Sequence, residues 1–290
     1  MTQEQSDDLI REEQEEEAVE EAAMLSPRLI FEAIRRNGEE ELNRPVRALW
    51  NSGITAGLLI SFSVLGEAML RAHLPDAPWS HIIENFGYTF GFLLVILGRM
   101  QLFTENTITT VVPVMTSRGI GPYLRTARLW TVVLAANVVG AFIVATFLAY
   151  APVLSDDVFQ AMTDLSEHAT SLPPLEGLAR GIPAGVLIAA LVWMLPVVET
   201  SEVAVILLFT WLIALGDFTH IVAGSVEMAF LVVQGKLTAG PAVFGFFIPV
   251  LAGNVLGGTV VFTMLAWGQI RPEVAEEVAE KEDDKTHAGA

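Results

Sequence analysis

The chain has 290 residues, 52% hydrophobic and 17% charged, with a mean hydropathy of +0.51 and yet a formal net charge of −18. Residues 1–44 hold 14 Asp/Glu against 5 Arg and residues 271–290 hold 7 acids against 3 bases, so the 226 residues between them keep only 13 acids and 8 bases. This distribution excludes a nucleic-acid binder and points to a polytopic membrane protein with acidic tails, while the absence of cysteine excludes disulfides, thiolate metal sites and cysteine nucleophiles.

In chain order, residues 1–26 are rich in Glu and Gln and too poor in apolar side chains to bury a core, which predicts a disordered acidic tail. They contain no apolar h-region, which predicts no cleaved signal peptide. Over residues 27–44, Leu29, Ile30, Ala33 and Ile34 recur at helical spacing beside Arg28, Arg35 and Arg36, the pattern of a juxtamembrane amphipathic helix that lies either in the membrane interface or in solvent. Uncharged stretches then cover 48–66, 85–98, 106–117, 129–155, 181–198, 203–216, 218–226 and 237–270. A crossing needs about 20 apolar residues. Joining 85–98 to 106–117 and 203–216 to 218–226 therefore gives six crossings within 45–270, the second broken around 99–105 and the fifth around 217–220. Residues 271–290 form a second acidic tail. With six crossings, nine Lys/Arg flank the spans on the side of the termini and three (Arg71, Arg180, Lys236) on the other, which predicts cytoplasmic termini in a cell inner membrane.

The sequence repeats itself. Residues 53–60 (Gly-Ile-Thr-Ala-Gly-Leu-Leu-Ile) match 181–188 (Gly-Ile-Pro-Ala-Gly-Val-Leu-Ile) at six of eight positions, and 134–140 match 251–257 at five of seven. Between these blocks each broken span carries a Phe-Thr pair, Phe103-Thr104 and Phe218-Thr219. The unit is three spans, and an odd number forces the two halves into opposite orientations about an axis in the membrane plane. Interrupted helices at matching positions of inverted halves point to a transport pathway, because irregular backbone at membrane depth is tolerated only beside protein or a water-filled cavity. Gly57, Gly140, Gly185 and Gly257 read as close helix contacts.

The run from Gly91 to Thr104, the Gly181-Ile182-x-Ala184 and Val192-Trp193-Met194 of the fourth span, Phe218-x-His220, and Gly253-Asn254-x-x-Gly257-Gly258 resemble the formate–nitrite transporter family over roughly residues 45–270. The resemblance implies an all-α, aquaporin-like protein of six spans, a homopentamer with one pore per protomer and no cofactor. It implies passage of small monovalent anions such as formate or nitrite, with proton coupling in some members. An aquaporin proper would show Asn-Pro-Ala at both breaks, and neither has it. By the resemblance, His220 is the central pore histidine and Thr104 the loop threonine facing it, Leu102 and Phe103 form the loop-side constriction, and Tyr88 and Ile213 stand where relatives carry constriction aromatics. The chain departs from the family at Gly185 and Gly224, where asparagines are usual, at Thr219, where an acid is usual, and at Arg99 and Glu105, which stand where relatives carry uncharged residues.

An ionisable residue inside a span marks a functional site by default. His220 is therefore read as lining the pathway, with a packing histidine bonded to a carbonyl as the alternative. In the Phe-Thr register Glu105 is the repeat equivalent of His220, which predicts that the two approach each other and that Glu105 tunes proton donation by His220; the alternative is that Arg99 neutralises Glu105 and pins the loop. Glu67, Glu84, Glu199, Glu202 and Glu227 lie near span ends and read as solvated or at subunit contacts, and His73, His81 and His168 fall in external loops. No metal-ligand spacing or catalytic constellation stands out. The chain reads as an anion channel or transporter rather than an enzyme, or as a non-transporting membrane sensor or scaffold on the same fold.

Overall fold

The structure, a computed structural model, describes residues 26–117, 119–198 and 200–272, so that the predicted acidic tails lie almost entirely outside the described residues. Five helices are long and apolar enough to cross a membrane: Val46–His73, Ser80–Leu97, Gly121–Tyr150, Pro174–Val197 and Pro241–Pro272. A further crossing is made by two shorter apolar helices end to end, Glu202–Leu215 and Ile221–Val233. The second span likewise continues, after a gap at residues 98–102, through Phe103–Thr109 and Val111–Thr116. The chain is thus an all-helical membrane protein of six spans whose second and fifth are broken where the sequence loses its apolar run.

Both breaks are built the same way. Arg99 and Asp217 adopt left-handed φ values of 49° and 52°. Around Arg99, amides 99 and 100 donate to the carbonyls of Ile96 and Val95; around Asp217, amides 217 and 218 donate to those of Ala214 and Ile213. This is a Schellman termination with a non-glycine residue at the left-handed position. A left-handed side chain costs about 1 kcal/mol, and the surrounding structure over-determines it here. Three residues later Leu102 and His220 return to extended backbone and start the next half-helix.

A buried asparagine from the span that follows locks each loop. Asn137 donates to the carbonyls of Gly53 (2.8 Å) and Gln101 (2.8 Å) and accepts from the Phe103 amide (2.9 Å). Asn254 donates to Gly181 (2.9 Å) and Thr219 (2.8 Å) and accepts from the Ile221 amide (2.8 Å). The twofold therefore pairs Gln101 with Thr219, Phe103 with Ile221, and Leu102 with His220. The Phe-Thr register is three residues off, and Glu105 is the counterpart of Ala223, not of His220.

The glycines of the repeat are helix crossings. A Cβ on Gly57 would land on the Asn137 carbonyl and one on Gly140 on that of Ile54, just as one on Gly185 would land on the Asn254 carbonyl and one on Gly257 on that of Ile182. Gly185 is thus a close contact with the sixth span. Gly57→Ala and Gly185→Ala should each lower stability by about 1–3 kcal/mol, since backbone cannot give way. Thermal unfolding of the purified protein checks this, with Gly121→Ala, in open space, as the silent control.

Two elements differ from the sequence reading. The amphipathic helix, Pro27–Asn43, is capped by Ser26 and buries Ile30, Phe31, Ile34 and Leu42 against the bundle, with Phe31 stacked on Trp267 at 5.1 Å. Its apolar face thus packs on the bundle, while its charged face is turned outward. On its outer face hydrogen bonds from Arg35, opposed by partial burial and reinforced by Arg36, hold the Glu32 carboxyl at about 2. A lowered value contributes stability that is complete above about 4.5 and is lost as pH falls through about 2. The melting-temperature gap between wild type and Glu32→Gln should accordingly be open at pH 7 and close as the pH approaches 2.

The second difference is the helix Asp156–Thr170, capped by Ser155, which packs over the end of the bundle opposite the termini where the sequence suggests an external loop. His73, His81 and His168 likewise lie on helices, Ser61–His73, Ser80–Glu84 and Asp156–Thr170.

Candidate functional site

The two half-helices that follow the breaks meet at mid-bundle. His220 caps the second of them: its Nδ1 accepts from the Ala223 amide at 3.3 Å. With Nδ1 accepting, the hydrogen lies on Nε2, which donates to the Thr104 hydroxyl at 2.7 Å. Thr104 is on the first turn of the other half-helix, so this bond ties the two inverted halves together. Both side chains are closed off, at 2% and 1% exposure. The Thr104 hydroxyl proton makes no bond to protein among the described residues and remains for a third partner. Phe92 packs edge-on against the imidazole at 5.0 Å and Tyr88 against Phe92 at 5.3 Å.

Above this waist, on the side opposite the termini, a cavity of about 410 Å³ descends to His220. Its walls include Tyr88 and Phe218, and also Glu67, Glu84, Asp217 and Glu227. Glu67, Glu84 and Glu227 lie near span ends, a position that suggests solvent or subunit contacts. They are instead gathered on one cavity by the bundle and the helix Asp156–Thr170. Asp217, in its left-handed turn, is held by the guanidinium of Arg180 and by His168 at 3.1 Å.

Leu102 and Phe103 are buried at the start of their half-helix, Phe103 against Trp130 at 5.6 Å, and Ile213 is buried near the end of Glu202–Leu215, before the second break. None of the three is on the cavity wall. Arg99 is exposed and makes no ion pair among the described residues, so it does not neutralise Glu105. Glu105 does not reach His220 either: one of its carboxylate oxygens is buried without a hydrogen-bond partner. On that side of the waist Gln101 donates to Glu41 at 2.6 Å and accepts from Asn106 at 3.3 Å. Among the described residues no group of His, Asp and Glu could hold a metal ion.

The sequence pattern described as formate/nitrite transporter matches residues 28–268. The inner membrane protein YfdC of Escherichia coli (strain K12) is 43% identical over 246 residues, 85% of this chain and 79% of that protein. The formate channel FocA of Haemophilus influenzae is 22% identical across 72% of this chain and 82% of its own length. Two solved structures share the fold. A pentameric formate channel with formate bound superposes with a TM-score of 0.65 at 21% identity, covering 77% of this chain and 96% of the other. An ion channel of the same family gives 0.73 at 18% identity, covering 83% and 98%. With six spans in two inverted halves, two broken helices meeting at a histidine, and this pattern along nearly all its described length, the chain belongs to the formate/nitrite transporter family.

Proposed function

We propose that the chain is a channel or transporter for small monovalent anions such as formate or nitrite, working as a homopentamer in the inner membrane with both termini cytoplasmic. The observation that carries this is the His220–Thr104 bridge at the foot of the cavity. The waist offers a hydroxyl and an imidazole edge between apolar walls but no full charge. A hydrated ion would lose its shell there without replacement, whereas a small neutral acid can trade its hydrogen bonds for that of Thr104. The permeant anion thus crosses the waist as its conjugate acid, and the reading is of transport rather than catalysis. The pentamer is supported by the assembly named for the formate-bound neighbour, and the orientation by the nine-to-three excess of Lys/Arg on the side of the termini.

Reconstituted protein should take up formate and nitrite faster than protein-free vesicles, and equal rates would overturn the proposal. A particle of monomer mass in several mild detergents would overturn the pentamer.

A further inference from the structure

The charged groups on the cavity sort by whether they have partners. Asp217 is held by Arg180 and His168, and Glu84 faces His81 at 3.2 Å. Arg71 lies one turn beyond Glu67 on the first span and makes no ion pair with it. Glu227, two turns beyond His220 on the same half-helix, has neither hydrogen bond nor ion pair among the described residues, and it lies within electrostatic reach of Glu67 across the cavity. Tyr88 is only 7% exposed, lines the cavity, and its hydroxyl has no partner among the described residues. A buried phenol normally bonds to something. Here it is offered to whatever enters, with an unpaired carboxyl group facing the same space.

The lining holds four carboxyl groups and one guanidinium. With Asp217 held by Arg180 and His168 and Glu84 facing His81, an anion entering from this side finds no unpaired cation except Arg71 at the wall, and a desolvated charge is costly in so confined a site. The anion is tolerated only once its charge is cancelled, and the cancelling group must sit between the mouth and His220. His220 is poorly placed for that role, because Nδ1 is committed to the Ala223 amide and the Nε2 hydrogen to Thr104.

We propose that Glu227, with Glu67 opposite and the Tyr88 hydroxyl beside them, forms a protonating subsite in which an incoming weak-acid oxyanion is converted to its neutral acid before it reaches the waist. In the step, the O–H bond of the Glu227 carboxyl breaks and an O–H bond forms on one oxygen of formate or nitrite. The Glu227 carboxylate left behind regains its proton from hydronium in the water of the open side. Tyr88 donates to the other oxygen of the oxyanion and holds it in place. This deepens the proposed function and rests on it.

The test uses full-length protein in proteoliposomes, with formate uptake and internal acidification followed together. At about pH 7, Glu227→Gln should take up formate at least tenfold more slowly than wild type. At about pH 3, below the ordinary carboxylic acid range, most of the substrate already carries its own proton, and the two should agree within about twofold. Glu67→Gln should move the pH midpoint, and Tyr88→Phe should raise the half-saturating formate concentration severalfold without moving it. A second readout needs no substrate: the infrared C=O stretch of a protonated carboxyl group, present in wild type at neutral pH, should be missing from Glu227→Gln. A wild-type pH profile in Glu227→Gln, or an unchanged infrared band, would overturn the subsite. Wild-type vesicles that take up neither formate nor nitrite at either pH would bring down the transport proposal itself, and this one with it.

Discussion

Replacing His220 with Phe is expected to cut formate and nitrite flux by tenfold to a hundredfold while leaving the oligomer assembled. The magnitude follows from the bond it removes. Thr104, almost fully buried, would lose the Nε2 donor at 2.7 Å. An orphaned buried hydroxyl costs about 1–3 kcal/mol, which is about one to two powers of ten in the population of a competent pathway. His220→Asn separates the two jobs of the imidazole. Asparagine is a good N-cap and would still serve the Ala223 amide, but its side chain is too short to span to Thr104. If bridging the halves is what matters, His220→Asn loses flux nearly as fully as Phe, while its melting temperature stays above that of Phe because the Ala223 amide keeps its cap. Full flux in His220→Asn would reduce His220 to a helix cap.

The second large effect concerns stability. Asn137→Asp and Asn254→Asp keep size and shape but replace two N–H donors with an acceptor facing two carbonyl oxygens. Each substitution orphans Gly53 and Gln101, or Gly181 and Thr219. At about 1–3 kcal/mol per unsatisfied buried group, either variant should be destabilised by at least about 3 kcal/mol and recovered mostly as aggregate in size-exclusion chromatography. Because the sites are related by the twofold, the two should fail alike. A variant that assembles and melts like wild type would show that the loop is held by something other than the asparagine.

The order of the six spans, the place of the breaks and the three-span repeat are legible in the sequence because they rest on identities such as Gly53/Gly181 and Asn137/Asn254. The register at the breaks is not read from the Phe-Thr pairs, which sit three residues apart in the twofold. Leu97-Gly98 and Leu215-Gly216 carry the true register, yet each glycine lies one residue before the left-handed position, which Arg99 and Asp217 occupy without a glycine to mark it. His220 bonds Thr104, and Tyr88 and Phe218 line the cavity that His220 floors. Glu67, Glu84 and Glu227 are hidden from such a reading, because an acid near a span end is usually solvated. What changes their surroundings is the helix Asp156–Thr170, which packs against the first span and the second half of the fifth. Its start is marked by Ser155 followed by Asp156 and Asp157, an N-cap with acids in the first turn, and a reading that followed that signal would find the helix over the cavity.

The central claim is that the anion passes the His220–Thr104 waist as a neutral acid. It is tested most directly by measuring formate uptake and internal acidification in the same proteoliposomes while a potassium gradient with valinomycin sets the membrane potential. The account predicts that one proton enters with each formate and that the rate does not respond to the potential. Uptake that carries net charge, rising as the interior is made positive and leaving the internal pH unchanged, would contradict it.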